Sequence, residues 1–287
     1  MRREPDSSAV SLRIGCAGWS FGTHDAGLFG AGDSQLARYA TRFDCVEINS
    51  SFHRLHRPAT YARWATSVPP GFRFSVKLPR AITHDARLRG CAPALDTFLD
   101  GVGRLGAALG CLLVQLPPSL VYDGRTAGAF LAMLRRRWDG DVACEPRHES
   151  WLAPGADALL RRHRIARVAA DPPQHGGDGV PGGATIPGYW RWHGSPRRYF
   201  SAYGADGVAR LADQLRARPG TRHWVVFDNT AAGAATTDAA TLQHLLTSSS
   251  HGNARLWQHA ASRDHPDTPG PCPPRPPIAS SSCLRTA

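Results

Sequence analysis

Eight short apolar runs recur along this chain, and most are separated by enough residues for one helix. A strand followed by a helix, repeated eight times, is the pattern of a (β/α)8 barrel. The 287 residues also fit one such barrel, for which about 250 is typical. The sequence therefore predicts an α/β fold, a single TIM-type barrel. The eight runs are Leu12–Trp19, Cys45–Phe52, Phe72–Pro79, Cys111–Pro118, Val142–Ser150, Ala166–Pro173, Tyr189–Ser195 and His223–Asn229.

The two ends of the chain lack this pattern. We predict a disordered arm over residues 1–10, the barrel over 11–247 and a disordered Pro/Ser-rich tail over 248–287. Within the tail, His265–Pro277 reads HPDTPGPCPPRPP, a composition that cannot form a packed element. The proline run is either plain disordered chain or a recognition motif.

Targeting and redox signals are weak. No apolar run follows Met1, so a secretory signal is not expected, and no stretch approaches the length of a transmembrane helix. The seven cysteines are scattered and never form a close pair, which favours neither a disulfide framework nor a zinc site. We expect a cytoplasmic protein that does not bind membranes.

Polar residues alternate with apolar ones near the C-terminal ends of the runs. Side chains two apart share a strand face, so Glu47 lies opposite Val46 and Ile48, and Arg191 lies opposite Trp190 and Trp192. If the apolar faces meet the helices, the polar faces point into the barrel, at the end where barrel enzymes carry their chemistry. The same parity turns Ser75, Lys77, Gln115, Glu145, Arg147, Asp171, His193 and Asn229 inward, with Trp224 and Val226 outward. These polar residues either form a functional pocket or only bond one another, but so many buried charges favour a pocket.

Lys77 is the only lysine of the chain, among 34 lysines and arginines. Lysine, unlike arginine, loses its charge readily when it is desolvated. Lys77 is therefore a candidate cation, general acid or imine former, and the alternative is a simple ion pair with Glu47.

The formal net charge of +11 is compatible with binding to nucleic acid. The arginine runs, however, fall on predicted helices without interleaved aromatic residues, so a solvated surface is the simpler interpretation. Nucleic acid stays a possible but less favoured partner.

Three kinds of site are compatible with the polar set. The small residues after Asn229 lead into a helix and could bind an anion with backbone N–H groups, or could merely pack closely. Glu47 and Glu145 lie on the second and fifth predicted strands and could act as base and acid. A divalent metal on the carboxylates and histidines is possible, but the nearby cations argue against it. No dinucleotide fingerprint follows the first run, and we expect no cofactor.

Several ordered blocks resemble one known family. They are Gly15-Cys16-Ala17-Gly18-Trp19, Val46–Phe52, Phe74–Lys77 with Ile82-Thr83-His84, Gln115–Pro118, Arg147-His148 with Ser150-Trp151, Trp192-His193-Gly194 and Asn229-Thr230. The chain from about Leu12 to Leu246 is similar to the YecE-like domain of unknown function 72 (DUF72) family. The resemblance implies a TIM-type barrel but supplies no reaction. His53, Pro146 and Asp228 depart from the residues usual in similar proteins.

The resulting hypothesis is a cofactor-free enzyme, a hydrolase, lyase or isomerase, that performs acid–base chemistry on a small phosphorylated or carboxylated molecule. A nucleic-acid-processing protein and a non-catalytic ligand sensor are the alternatives. The oligomeric state does not follow from the sequence. The candidate catalytic residues are Glu47, Lys77, Glu145, Asp171 and His193. The candidate substrate-binding residues are Trp19, Asn49, His84, Gln115, Arg147, His148, Trp151, Arg191 and Asn229.

Overall fold

A computed structural model describes residues 12–173, 175–219 and 222–248. The predicted arm over residues 1–10 lies outside these ranges, and so does the predicted tail from residue 249 onward. Ser248, where the tail was predicted to begin, is the last residue of a helix.

The described residues form ten strands and seven α-helices that alternate along most of the chain. The strands are β1 (Leu12–Cys16), β2 (Cys45–Ile48), β3 (Arg73–Lys77), β4 (Leu109–Gln115), β5 (Asp141–Glu145), β6 (Ala166–Arg167), β7 (Ala169–Asp171), β8 (Gly182–Gly183), β9 (Gly188–Trp192) and β10 (His223–Phe227). The helices are α1 (Gln35–Tyr39), α2 (Pro58–Thr66), α3 (Ala92–Val102), α4 (Gly124–Arg137), α5 (Pro154–Arg162), α6 (Gly204–Arg216) and α7 (Ala234–Ser248).

Local sequence signals start several helices. The Ser34 and Asp123 side chains accept hydrogen bonds from the first-turn N–H groups of α1 and α4, which satisfies donors that a helix leaves free. Pro58 and Pro154 open α2 and α5, where the fixed φ of proline suits the first turn.

The strands form two sheets, and neither closes into a barrel. One has the order β1-β10-β9-β7 and the other the order β2-β3-β4-β5-β6-β8. All pairings are parallel except that of β6 with β8. The fold is thus a mixed α/β fold with largely parallel sheets, which differs from the closed single barrel that the sequence predicts.

The gap between β1 and β2 has an identifiable cause. The Tyr39 hydroxyl of α1 accepts a hydrogen bond from the Cys16 N–H (2.8 Å) and donates one to the Cys45 carbonyl (3.0 Å). Gly15 makes room for it, because a Cβ there would collide with the Cys45 carbonyl oxygen. One isolated bridge between Ala17 and Glu47 is the ladder contact there. A side chain therefore replaces the strand-to-strand hydrogen bonds.

The sixth predicted strand is split at Val168. Its first part, β6, pairs with β5, and its second part, β7, pairs with β9. The short β8 pairs antiparallel with β6, which covers the edge that this split exposes. Only Val168 separates β6 from β7 in the chain, but no strand ladder joins the two sheets at this point.

The strands separate two apolar regions. The larger core holds residues such as Val46, Phe74 and Leu112 together with Leu95 and Leu134 of the helices. A smaller group, here called the strand cluster, comes from strands of both sheets: Cys45, Cys111, Leu113, Ala143, Ala166, Val168, Tyr189, Trp224 and Val226. The polar residues of the site continue the strand-cluster face toward the C-terminal strand ends.

The predicted parity is wrong on β10. Trp224 and Val226 belong to the strand cluster, whereas Val225 and Phe227 lie in the larger core. Both faces of this strand are apolar, so alternation could not say which face meets the helices. The consequence is that Asp228, and not Asn229, follows the strand-cluster face.

Candidate functional site

Arg191 on β9 is the centre of a buried charge cluster. Its side chain is fully buried, and its guanidinium contacts three carboxylates from three other strands or strand ends. Nε and Nη2 bind the two oxygens of Glu47 at 3.0 and 2.7 Å. Nη1 lies 2.5 Å from Glu145 Oε2, and Nη2 lies 2.9 Å from Asp228 Oδ2. These charge-assisted hydrogen bonds tie strands of the two sheets together.

His193, two residues after Arg191, bridges two of the same carboxylates. Its Nδ1 lies 2.9 Å from Asp228 Oδ2, and its Nε2 lies 3.1 Å from Glu145 Oε1. The doubly protonated imidazolium is the form that donates to both oxygens. The ring is fully buried, so it organises the cluster from within.

Neighbouring side chains saturate Glu47 and Glu145. The Tyr189 hydroxyl lies 2.8 Å from Glu47 Oε2 and also contacts Ser75. Gln115 donates to Glu145 Oε2 at 2.9 Å. Both carboxylates are at most 1% exposed. Without these partners, burying each charge would cost on the order of several kcal/mol.

The cations of the cluster favour the ionised forms of Glu145 and Asp228. Burial alone would raise the pKa of Glu145, but the charges of Arg191, His193 and Arg147 lower it well below its usual range. Burial also opposes ionisation of Asp228, and Arg191 with His193 lowers its pKa as well. Neither group is therefore set to release and take up protons near neutral pH.

A cavity of about 340 Å³ opens above this cluster. Its lining combines two cations with polar and aromatic groups: Asn49, Ser50, Phe52, His53, Lys77, Gln115, Arg147, Tyr199 and Asp228. Asn49 donates weakly to Asp228 at 3.5 Å, and its own Oδ1 is buried without a hydrogen-bond partner in the part of the chain that the structure describes. Such an atom is a ready partner for a ligand N–H or O–H.

Lys77, the last residue of β3, faces this cavity. Its Nζ lies 4.1 Å from the centre of the Phe52 ring, a cation–π contact. Across residues 12–173, 175–219 and 222–248, no ion pair to Lys77 is formed. Burial, followed by the charge of Arg191, lowers the pKa of Lys77 to about 8 against the opposing pull of Glu47 and Glu145. The alternative of a simple ion pair with Glu47 is not what the described residues form, because Arg191 and Tyr189 occupy that carboxylate.

Arg147 supplies the second cation of the cavity. Its Nε lies 3.3 Å from Glu145 Oε1, and its Nη2 donates to the Tyr199 hydroxyl at 3.2 Å. His175 reaches the backbone carbonyl of Arg147 at 3.1 Å. Arg147 is therefore fixed at the cavity wall while part of its guanidinium stays available to an anion.

Nine of the predicted residues come together in this region. The structure places Glu47, Glu145, Arg191 and His193 in the buried cluster, and Lys77, Asn49, Gln115 and Arg147 at the cavity. His84 stands nearby, with its ring 4.8 Å from that of Phe52. Burial and then the charge of Lys77 lower the pKa of His84, so its imidazole is neutral at neutral pH.

The two tryptophans predicted to bind substrate, Trp19 and Trp151, lie away from the cavity. Trp19 packs edge-on against Trp64 at 4.9 Å. Trp151 is buried and donates its indole N–H to the Leu120 carbonyl. Both are packing residues, and neither lines the cavity.

Three other predicted residues also fall outside the cluster. His148 uses Nδ1 to accept from the Ser150 N–H and so caps the turn Glu149–Leu152. Asp171 belongs to the outward parity of β7, where its backbone carbonyl accepts from Tyr203. Asn229 donates to Asp238 at 2.7 Å and to the Ser201 carbonyl at 3.0 Å, which joins the end of β10 to α7.

Sequence reasoning missed Asp228, Tyr199, Phe52 and Tyr189. Asp228 lies beside the predicted Asn229, so correct parity at the end of β10 would have found it. Phe52 lies in the 3-10 turn Ser50–Phe52 that follows β2, where strand alternation no longer applies. Tyr199 lies in the long segment between β9 and α6, and nothing in its sequence surroundings marks it. Tyr189 reads as an apolar strand residue, and its hydroxyl contacts become visible only in three dimensions.

The described ranges contain neither a metal-binding cluster nor a membrane-spanning helix. Among residues 12–173, 175–219 and 222–248, no three histidine, cysteine, aspartate or glutamate side chains are arranged to hold a metal ion. No helix in those ranges is long and apolar enough to cross a membrane.

Fold and site together define an α/β protein with a buried arginine–carboxylate cluster beneath a cationic cavity at the ends of parallel strands. The chain belongs to the DUF72 family, whose model, described as a protein of unknown function, matches residues 13–262. This confirms the family that the sequence blocks indicate.

Curated relatives carry related names. The chain is 36% identical over 148 residues to the UPF0759 protein YecE of Escherichia coli K12, which covers 49% of this chain and 53% of that protein. It is 25% identical over 187 residues to the UPF0759 protein YunF of Bacillus subtilis 168, covering 59% and 64%. The matched part of the chain thus spans about half of the length of YecE.

Solved structures of the family share the fold. A DUF72 family protein from Enterococcus faecalis V583 superposes with a TM-score of 0.68 at 23% identity, covering 82% of this chain and 95% of that one. A DUF72 family protein from Thermotoga maritima MSB8 superposes with a TM-score of 0.67 at 23% identity, covering 83% and 99%. At this identity, the likeness concerns the fold alone.

Proposed function

We propose that this chain is an enzyme that binds a small phosphorylated or carboxylated molecule in the cavity and performs acid–base chemistry on it. One observation carries this function: Lys77 and Arg147 face the same cavity, and Lys77 has no ion pair in the described part of the chain. A partly buried cation without a carboxylate partner is costly unless an anion joins it.

The charge balance favours an anion at this place. Arg191, His193, Lys77 and Arg147 face three carboxylates, Glu47, Glu145 and Asp228. With His193 as the imidazolium, the group carries one surplus positive charge, and the cations that reach the cavity are Lys77 and Arg147. Asn49 and Ser50 add polar groups at the rim.

The acid–base roles shift away from the glutamates. Glu47 and Glu145 are saturated beneath the cavity, so we assign them to positioning Arg191 rather than to contact with substrate. Lys77 takes over proton transfer at Nζ, because a pKa of about 8 lets both of its forms exist near neutral pH. Arg147 holds the anionic group of the substrate.

We also propose that the two sheets together enclose the strand cluster as the walls of a TIM-type barrel. Three contacts between the sheets support this. Only Val168 separates β6 from β7, the Tyr39 hydroxyl bridges β1 and β2, and Arg191 binds carboxylates of the other sheet. In such barrels the C-terminal strand ends carry the chemistry.

Anion binding is tested by thermal unfolding of the purified chain with inorganic phosphate or small carboxylates at constant ionic strength. A ligand that binds the native state raises the midpoint by mass action. We expect a rise in wild type that Arg147→Ala removes, while the matched exposed variant Arg89→Ala retains it. A rise that Arg147→Ala leaves intact, or stabilisation by oligonucleotides alone that salt abolishes, would contradict this site.

The catalytic half of the function needs a second readout. A stabilising ligand is followed by ¹H NMR in D₂O, where acid–base chemistry at carbon exchanges a C–H for deuterium. We expect exchange with wild type and none with Lys77→Met. Binding without exchange or any other turnover would mark a ligand sensor instead.

A further inference from the structure

We propose that Lys77 is a covalent nucleophile, and that the substrate of this cavity is an anionic carbonyl compound that forms an imine with the Lys77 side chain. Because the anion must be held in the same cavity, this rests on the proposed function. The substrate class narrows to small molecules that carry both an aldehyde or ketone and a phosphate or carboxylate.

The position of Lys77 suits this chemistry. Ser51 Oγ donates to the Lys77 backbone carbonyl at 2.7 Å, so the end of β3 is fixed. The side chain is 9% exposed, lies against the Phe52 ring and leads into the cavity. An amine that is held in place, with no carboxylate partner in the described ranges, has a free lone pair once it loses its proton.

The surroundings raise the neutral fraction of the Lys77 amine above that of an ordinary lysine. Burial and the charge of Arg191 lower the pKa of Lys77 to about 8, so a fraction of about one tenth is neutral at pH 7. The His84 ring contacts the same Phe52 ring edge-on at 4.8 Å, and because burial and then the charge of Lys77 lower its pKa, it places no further positive charge beside the amine.

The reaction balances without a co-reactant. The Nζ lone pair attacks the carbonyl carbon, a C–N bond forms, and the carbonyl π pair moves to oxygen, which takes a proton. The carbinolamine then expels this oxygen as water, and the nitrogen lone pair forms the C=N bond. One ammonium and one carbonyl give one protonated imine and one water, so no net proton enters or leaves.

Arg147 explains why the carbonyl compound is anionic. Its guanidinium lies at the same cavity wall, anchored by Glu145 and Tyr199. A phosphate or carboxylate bound there brings the carbonyl of the same small molecule to Lys77. Both anionic groups fit this chemistry, and the experiment separates them.

Because Lys77 is the only lysine of the chain, an imine on a lysine side chain can form at one position only. The chain is incubated with glyceraldehyde 3-phosphate or pyruvate, with glyceraldehyde and acetone as neutral counterparts. Sodium cyanoborohydride then delivers hydride to any imine carbon and leaves a stable secondary amine. Peptide mass spectrometry locates the adduct, and the α-amine of the chain is the internal reference, since its ordinary pKa of roughly 7.7–8.0 is close to that of Lys77.

We expect labelling of Lys77 ahead of the α-amine by at least one anionic carbonyl, and none at position 77 in Lys77→Arg, which keeps the charge. Labelling by the anionic compound should exceed that by its neutral counterpart about tenfold, the factor for one charge-assisted contact, and Arg147→Ala should remove this preference. Labelling of the α-amine alone would overturn the imine. If the Arg147-dependent phosphate stabilisation persisted in that case, the imine would fail and anion binding would stand; if both were lost, both would fail.

Discussion

Replacement of Arg191 by methionine removes the single cation that three buried carboxylates share. Four hydrogen bonds of the guanidinium are lost, and Glu47, Glu145 and Asp228 stay buried with one compensating positive charge fewer. Breaking a buried ion pair from one side costs roughly 3–5 kcal/mol. We therefore expect Arg191→Met to destabilise the fold more than any exposed arginine variant.

Protonation of one carboxylate gives a second estimate of the same cost. A glutamic acid with an ordinary pKa near 4.3 costs about 1.36 kcal/mol per pH unit to protonate, or about 3.7 kcal/mol at pH 7. At pH 5 the same protonation costs only about 1 kcal/mol. The difference in unfolding free energy between wild type and Arg191→Met should therefore shrink by about 2.7 kcal/mol between pH 7 and pH 5.

The sign follows from proton binding. In wild type, the lowered pKa values of Glu145 and Asp228 add stability above their unfolded pKa values near 4, which is lost only as the pH falls through the folded values. In Arg191→Met, burial dominates, and the folded state binds one proton more than the unfolded state. Its stability relative to wild type then falls as the pH rises.

Urea unfolding monitored by circular dichroism at pH 5 and pH 7 measures this difference. The matched control is Arg89→Met, since Arg89 is exposed and its pair with Asp123 spans 3.7 Å; we expect no measurable loss there. A loss below about 1 kcal/mol for Arg191→Met at pH 7, or an equal loss at both pH values, would refute the shared-cation interpretation.

Two further results are expected. Acetylation of Lys77 by a water-soluble N-hydroxysuccinimide ester, followed by mass spectrometry, should reach half of its maximal rate near pH 8, as its pKa of about 8 requires; a rate still rising steeply above pH 10 would show an ordinary lysine. Asn229→Ala should lower the unfolding free energy by roughly 1–3 kcal/mol, since it removes the amide that donates to buried Asp238 and to the Ser201 carbonyl, while the phosphate-induced shift persists; loss of that shift with unchanged stability would return Asn229 to the binding site.

The strands and helices follow well from the sequence, because burial sets their periodicity. In β2 and β9, which carry Glu47 and Arg191, polar and apolar residues alternate so that one strand face is polar. These polar residues meet in the buried cluster, as the alternation predicts. The strand ladders could not be predicted in full: the Tyr39 hydroxyl between β1 and β2 and the break at Val168 depend on contacts between elements that are distant in sequence. The alternation of apolar and polar residues within one predicted strand carries no information on such contacts.

The candidate site was predicted where one strand face is polar and missed where it is not. On β10 both faces are apolar, so Asn229 was chosen in place of Asp228. Trp151 and His148 follow the end of β5, where site residues are expected. Their roles are structural because Trp151 donates its indole N–H to the Leu120 carbonyl and His148 caps the turn Glu149–Leu152. Which carboxylates contact ligand also depends on packing, since Arg191 covers Glu47 and Glu145 only in the folded chain.

The central claim, that Lys77 and Arg147 hold an anion, is tested most directly by diffraction from crystals soaked in inorganic phosphate. We expect a phosphate in the cavity, within hydrogen-bond distance of both Lys77 Nζ and the Arg147 guanidinium, and no density there in crystals of Arg147→Ala. A cavity that holds only water in wild-type crystals at phosphate concentrations that stabilise the protein in solution would contradict it.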